Sequence, residues 1–177
     1  MKKSSKHLLL LAAALLCTAA CDDLSCPLES TVECHYGFYA EAVPNERGQM
    51  VAGDKVAIGD TLTITALRRP EAGGDTVLLN RATGQSAMAL PVSYYAEEDI
   101  IELAFTDTLH RTARDTLWMQ KENVRHWDDP GCPMHMWHNI TGVRFSRHLI
   151  DTVFINHHQI NYAGRENFQI CFRTGEQ

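Results

Sequence analysis

Thr61-Leu62-Thr63-Ile64-Thr65-Ala66 sets a threonine and an apolar residue in strict alternation. Successive side chains of a strand point to opposite faces, so the hexapeptide reads as a half-buried strand with Leu62, Ile64 and Ala66 turned inward. Threonine, β-branched, suits the exposed side of such a strand. Working outward, Arg69-Pro70-Glu71-Ala72-Gly73-Gly74 breaks the run and residues 76–80 resume it, which predicts a hairpin. Upstream, Val32, Cys34, Tyr36 and Phe38 alternate with Glu33, His35, Gly37 and Tyr39. Downstream, short runs fall at 88–92, 100–106, 116–121, 136–145, 150–155 and 168–172. In 100–106 the inward face would be Ile101, Leu103 and Phe105. Pro91 marks its strand as an edge or a bulge. No stretch beyond the leader carries a long helical apolar stripe with caps. The pattern predicts an all-β fold, a two-sheet antiparallel sandwich of immunoglobulin-like type over residues 32–177, with a barrel as the alternative.

The chain has 177 residues, 45% hydrophobic and 21% charged, a composition suited to one globular domain rather than disorder. A formal charge of −6 argues against a nucleic-acid partner held by bulk positive charge. No apolar run after residue 20 has the length of a membrane helix. Residues 122–133 form the longest irregular connection, and no repeat is visible.

The first 20 residues read as a signal peptide: Lys2, Lys3 and Lys6 form a basic start, Leu8 to Leu16 an apolar centre, and Thr18-Ala19-Ala20 a small-residue end before Cys21. This ending resembles the lipobox of bacterial lipoproteins, which implies acylation of Cys21 and a membrane partner reached through N-terminal acyl chains. Residues 21–31 would then be a lipidated polar tether. Asp22-Asp23 resembles the acidic surface-export signal of Bacteroidota lipoproteins, which implies an outer-membrane address, with exposure at the surface. In other Gram-negative bacteria, Asp at that position implies inner-membrane retention. Removal of the leader leaves 13 basic and 22 acidic residues, with Lys55 and Lys121 the remaining lysines.

Cys26, Cys34, Cys132 and Cys171 are an even set in an exported chain, which predicts two disulfides. Cys26 and Cys132 each precede a proline at a strand-loop junction and are paired; Cys34 and Cys171 are the other candidate pair. Alternation sets Cys171 on the face opposite Phe168, Ile170 and Phe172, whereas Cys34 shares the apolar face of its strand. That pair therefore needs a bulge, or both thiols stay reduced.

Several segments together resemble a family of small Bacteroidota lipoproteins of unknown function. They are Cys21-Asp22-Asp23-Leu24-Ser25-Cys26-Pro27, Asp60-Thr61-Leu62-Thr63, Asp75-Thr76-Val77-Leu78-Leu79-Asn80 and Leu90-Pro91-Val92-Ser93-Tyr94. Asp129-Pro130-Gly131-Cys132-Pro133, His138-Asn139-Ile140-Thr141-Gly142-Val143, Ile150-Asp151 and Asn161-Tyr162 extend the likeness along the whole chain after the leader. It implies a lipoprotein address and a compact domain, with no activity and no catalytic residue to carry over.

Catalytic patterns are sparse. Gly84-Gln85-Ser86 lacks the closing glycine of a nucleophile elbow. Glu97-Glu98-Asp99 could supply paired carboxylates but reads as a solvated turn. His157-His158 reads as a polar loop, and no zincin, EF-hand or phosphate-loop pattern occurs. The sharpest constellation is Cys132-Pro133-Met134-His135-Met136-Trp137-His138. Met134, Met136 and His138 would share one strand face, a soft donor set suited to Cu(I) and similar to the Met/His/Trp sites of periplasmic copper chaperones. With Ile140 the same residues form a stripe that suits a core, where methionine fills irregular gaps.

Asp-Thr followed by Leu or Val recurs five times, at Thr61, Thr76, Thr108, Thr116 and Thr152. It suits a turn entering a strand, and it also resembles the O-glycosylation acceptor of exported Bacteroidota proteins. The functional expectation is an envelope-anchored, non-enzymatic binding or structural accessory module with an unidentified protein or glycan partner and no cofactor. The alternative is a copper-binding lipoprotein, followed by a hydrolase whose acids and histidines converge only in the fold.

Overall fold

The computed structural model describes Cys26, residues 32–68 and residues 73–173. Cys21, the leader and the rest of the tether lie outside the described residues, and so does the lipidation site. The described residues fall in two compact units, one holding Cys26 and Trp127–Met134, the other a β body made of the remainder.

The β body contains twelve strands and no helix among the described residues. They are β1 (Glu33–Tyr39), β2 (Ala42–Pro44), β3 (Met50–Ala52), β4 (Thr61–Ala66), β5 (Thr76–Ala82), β6 (Ala87–Pro91), β7 (Glu98–Thr106), β8 (Thr112–His126), β9 (His135–Phe145), β10 (Ile150–Ile155), β11 (Gln159–Ile160) and β12 (Glu166–Phe172). One sheet has the order β10-β12-β1-β6, the second β11-β9-β8-β7-β4-β5, and β2 and β3 form a separate hairpin.

The two large sheets enclose one core. Cys34, Tyr36 and Phe38 from β1 and Phe168, Ile170 and Phe172 from β12 join Leu62, Ile64, Leu103, Phe105 and Leu117 from the other sheet. The Phe105 and Phe172 rings meet edge to face across the gap at 5.6 Å. The alternation in β4 and β7 predicts these inward residues correctly. Pro91 closes β6, which is an edge strand, where a missing N–H costs no ladder bond.

The antiparallel sandwich has one parallel pair, β1 with β12. β8 is also far longer than the run at 116–121 and absorbs residues 122–126 of the expected loop. Polar residues at both ends of its inward face hide the strand from an apolar-alternation reading.

Candidate functional site

The inward face of β8 runs Asp115, Leu117, Met119, Lys121, so an apolar centre is flanked by two buried charges. A buried charge is tolerated only where partners of the right polarity replace water. Around Asp115 these are donors: Ser146 Oγ donates to Oδ1 at 2.6 Å and His148 N–H at 2.9 Å, while Leu149 and Ile150 N–H donate to Oδ2 at 2.8 and 3.0 Å. Burial alone would raise this carboxyl's pKa, but the hydrogen bonds outweigh it and hold it below the usual range. The carboxylate thereby fixes the connection from β9 to β10.

Lys121 has the opposite surroundings. Its ammonium donates to Ser93 O at 2.7 Å, Ala96 O at 2.5 Å and Asn123 Oδ1 at 2.8 Å. Asp99 Oδ2 lies 3.9 Å away and accepts the Ser93 N–H at 3.1 Å. Asn123 Nδ2 donates to Tyr95 O and Ala96 O, which fixes its Oδ1 as an acceptor. His138 Nδ1, 2.8 Å from that oxygen, must therefore carry the proton. Burial, with the Lys121 charge, pushes the imidazole down to about 4, so it is neutral near pH 7. Burial lowers the Lys121 pKa too, against the pull of Asp99.

This polar knot braces the 93–97 loop, beside which lies an open groove of about 830 Å³ lined by Glu97, Glu98, Gln120, Glu122, Val124 and Thr141 among others. Glu98 is tied to Arg144 at 3.0 Å, and the Arg144 guanidinium stands over the Trp118 ring on the outer face of the sheet. With Lys121 and Asn123 also in the lining and Glu98 paired to Arg144, the groove is polar with an acidic balance. Further along the same face, His126 stacks on Trp137 with centroids 3.5 Å apart, and Tyr162 meets Trp137 edge-on.

The residues singled out in the sequence fare differently. Glu98 and Asp99 belong to β7 rather than to a solvated turn; as strand neighbours they point to opposite faces and bind different partners, so they do not form a facing pair. His158 Nδ1 donates to Ile140 O at 2.7 Å, a structural bond. Gly84-Gln85-Ser86 is stitched by backbone bonds to Ile58 and Phe38. Met136 and His138 are buried on the inward face, next to Ile140, while Met134 lies in the other unit. The Lys121 ammonium, 3.4 Å from His138 Nδ1, makes this end of the stripe inhospitable to a cation. Core packing with a polar end accounts for Met136, His138 and Ile140.

Cys26 and Cys132 form a disulfide, with Cα atoms 5.5 Å apart. The expected Cys34–Cys171 bond is absent and both thiols are free and buried. The parallel register sets Cys171 beside Tyr39, five residues beyond Cys34, roughly 17 Å along the strand; a disulfide needs Cα atoms within about 7 Å. Burial pushes the Cys34 thiol up to about 12 and the Cys171 thiol up to about 11, so neither supplies a thiolate near neutral pH.

Among the threonines, Thr61 and Thr76 begin β4 and β5, as the strand-entry reading predicts. Thr108 sits in an exposed turn, where Asp107 accepts from the Leu109 and Arg111 N–H groups. Thr116 and Thr152 lie inside β8 and β10, so strand entry does not describe them. Apolar alternation does not single out Lys121 and Asp115 as site residues; the usable signal is parity, since both share the inward register of Leu117 and Met119.

The fold defines the chain as an all-β sandwich domain, and comparison places it within one family. The chain belongs to the family of unknown function DUF6452, which matches residues 61–172. No curated protein and no solved structure matches it.

Proposed function

We propose that the protein is an envelope-anchored lipoprotein of a Bacteroidota-type outer membrane, held by acyl chains on Cys21, whose sandwich is a non-enzymatic binding or structural accessory module. The observation that carries this reading is the Cys26–Cys132 disulfide, a bond that persists in oxidising compartments, placed five residues after a lipobox-like cysteine. A structural role for the interior is supported by the way Asp115, Lys121, His138 and Asn167 are occupied by their own chain. The acidic groove beside the 93–97 loop is the surface offered to a partner. Of the five glycosylation candidates, Thr108 and Thr76 are exposed and the others half-buried, so Thr108 is the first acceptor.

Cys21→Ser tests the anchor: the variant is expected in the soluble fraction while the wild type sediments with membranes. Equal membrane association would remove the reading. Intact mass of the native protein reads acyl chains and hexose-sized increments separately; acyl chains without hexose would leave the threonines as ordinary strand and turn residues.

A further inference from the structure

We propose that the unit closed by the Cys26–Cys132 disulfide is a membrane-docking tip, with Trp127 seated at the headgroup level of a zwitterionic bilayer. The inference deepens the lipoprotein reading and rests on it. Trp127 is 52% exposed, and it lies in the same compact unit as Cys26 and Cys132. Asp129 to Cys132 form a turn, in which the Cys132 N–H donates to Asp129 O at 3.0 Å.

The length of chain between anchor and disulfide sets the distance. Cys26 follows Cys21 by five residues, and at most about 3.6 Å per residue limits the span to about 18 Å. Because Cys26 is covalently joined to Cys132, that limit applies to the loop around Cys132 as well as to the N-terminal segment. An indole has an apolar body and a polar N–H, and tryptophan accordingly collects at membrane interfaces. A tethered loop within this reach, carrying an exposed indole, gains by seating it there. Asp128 and Asp129 are exposed beside Trp127, so their charges must remain in water and would be repelled by anionic headgroups. The partner surface is therefore a lipid bilayer of low net charge, entered no deeper than the interface.

The test uses the full acylated protein in phosphatidylcholine vesicles whose acyl chains carry bromine close to the headgroup. Bromine quenches tryptophan on contact, and Trp127→Phe isolates the Trp127 contribution from those of Trp118 and Trp137. That contribution is expected to fall about two-fold in brominated relative to plain vesicles, with weaker quenching when bromine sits deep in the chain. Replacing part of the lipid with phosphatidylglycerol should weaken it. The Cys26→Ser/Cys132→Ser variant should still float with the vesicles but lose the quenching. Floating protein whose Trp127 contribution is unaffected by bromine overturns the proposal, as does quenching unchanged in the serine variant. Protein that does not float and shows no acyl mass overturns the lipoprotein reading, and the docking tip falls with it; the two failures are told apart by mass and flotation.

Discussion

Asp115 and Lys121 stand three inward steps apart on the same strand, yet the chain encloses them in opposite ways. The carboxylate is met by N–H and O–H donors from 146–150, the ammonium by carbonyl oxygens of the 93–96 loop. Each charge recruits a loop of the polarity it needs, so one strand pins a connection at either end of the sandwich. Both side chains are fully covered, and what differs is the company: Lys121 has the Asp99 carboxylate 3.9 Å away, whereas Asp115 is held by neutral donors, with the largely exposed His148 ring at its edge. Lesson: a buried charge here acts as a fastener for backbone that has no partner of its own.

The largest expected effect is at Lys121. Lys121→Met leaves Ser93 O without its donor and Asp99 without the ammonium beside it, and should cost about 3–5 kcal/mol in urea unfolding. Asp115→Ala strands three backbone donors and a hydroxyl, all neutral; about 2–3 kcal/mol is expected. A reversed order would break the comparison, because it would mean that a lost counter-charge does not set the cost.

Acid separates the two ends further. His138 has a folded pKa depressed to about 4 from 6.5, so the unfolded chain binds its proton first and stability falls as pH drops through that window. Asp115 is depressed from an unfolded value near 3.9, so its contribution is complete above that pH and is lost as pH falls through the lower folded value. Unfolding midpoints over a pH series should show the His138 limb first, flattened in His138→Gln, and the Asp115 limb below it, absent from Asp115→Ala. One shared limb surviving both substitutions would refute the assignment.

The smallest effect is expected at Glu166, a surface counterpart of these sites. It accepts from Tyr39 Oη at 2.7 Å and pairs with Lys55 at 2.8 Å over Gly37, where a Cβ would overlap the carboxylate. Partly exposed pairs contribute little, so Glu166→Gln should change stability by under about 1 kcal/mol.

How much of this was legible follows from what alternation encodes. Period-2 patterning reports which face is buried, and so it located β4, β7 and the inward residues of β1. It reports nothing about partners, and it treats a polar inward residue as the end of a strand. Asp115, Lys121 and Asn123 therefore interrupt the pattern of β8, and the knot around Lys121 leaves no pattern because its acceptors come from a loop 25 to 28 residues away. The Cys26–Cys132 pair was readable from two matching Cys-Pro junctions. The reduced state of Cys34 and Cys171 was not, since it depends on a register between strands at opposite ends of the chain.

The pairing of β1 with β12 has a consequence for the order of events in folding. A chain made and exported from its N-terminus presents β1 long before Glu166–Phe172 exists to lie beside it. Until then Cys34, Tyr36 and Phe38 lack half of their sheet, and the first thiol Cys26 can meet is Cys34, eight residues on, rather than Cys132. Contacts of such long sequence separation form slowly, and thiols exchange through whatever mixed disulfides are within reach. Docking of the last strand is thus also the step that withdraws Cys34 from this competition, sealing the thiol at 0% exposure and leaving Cys26 to its distant partner.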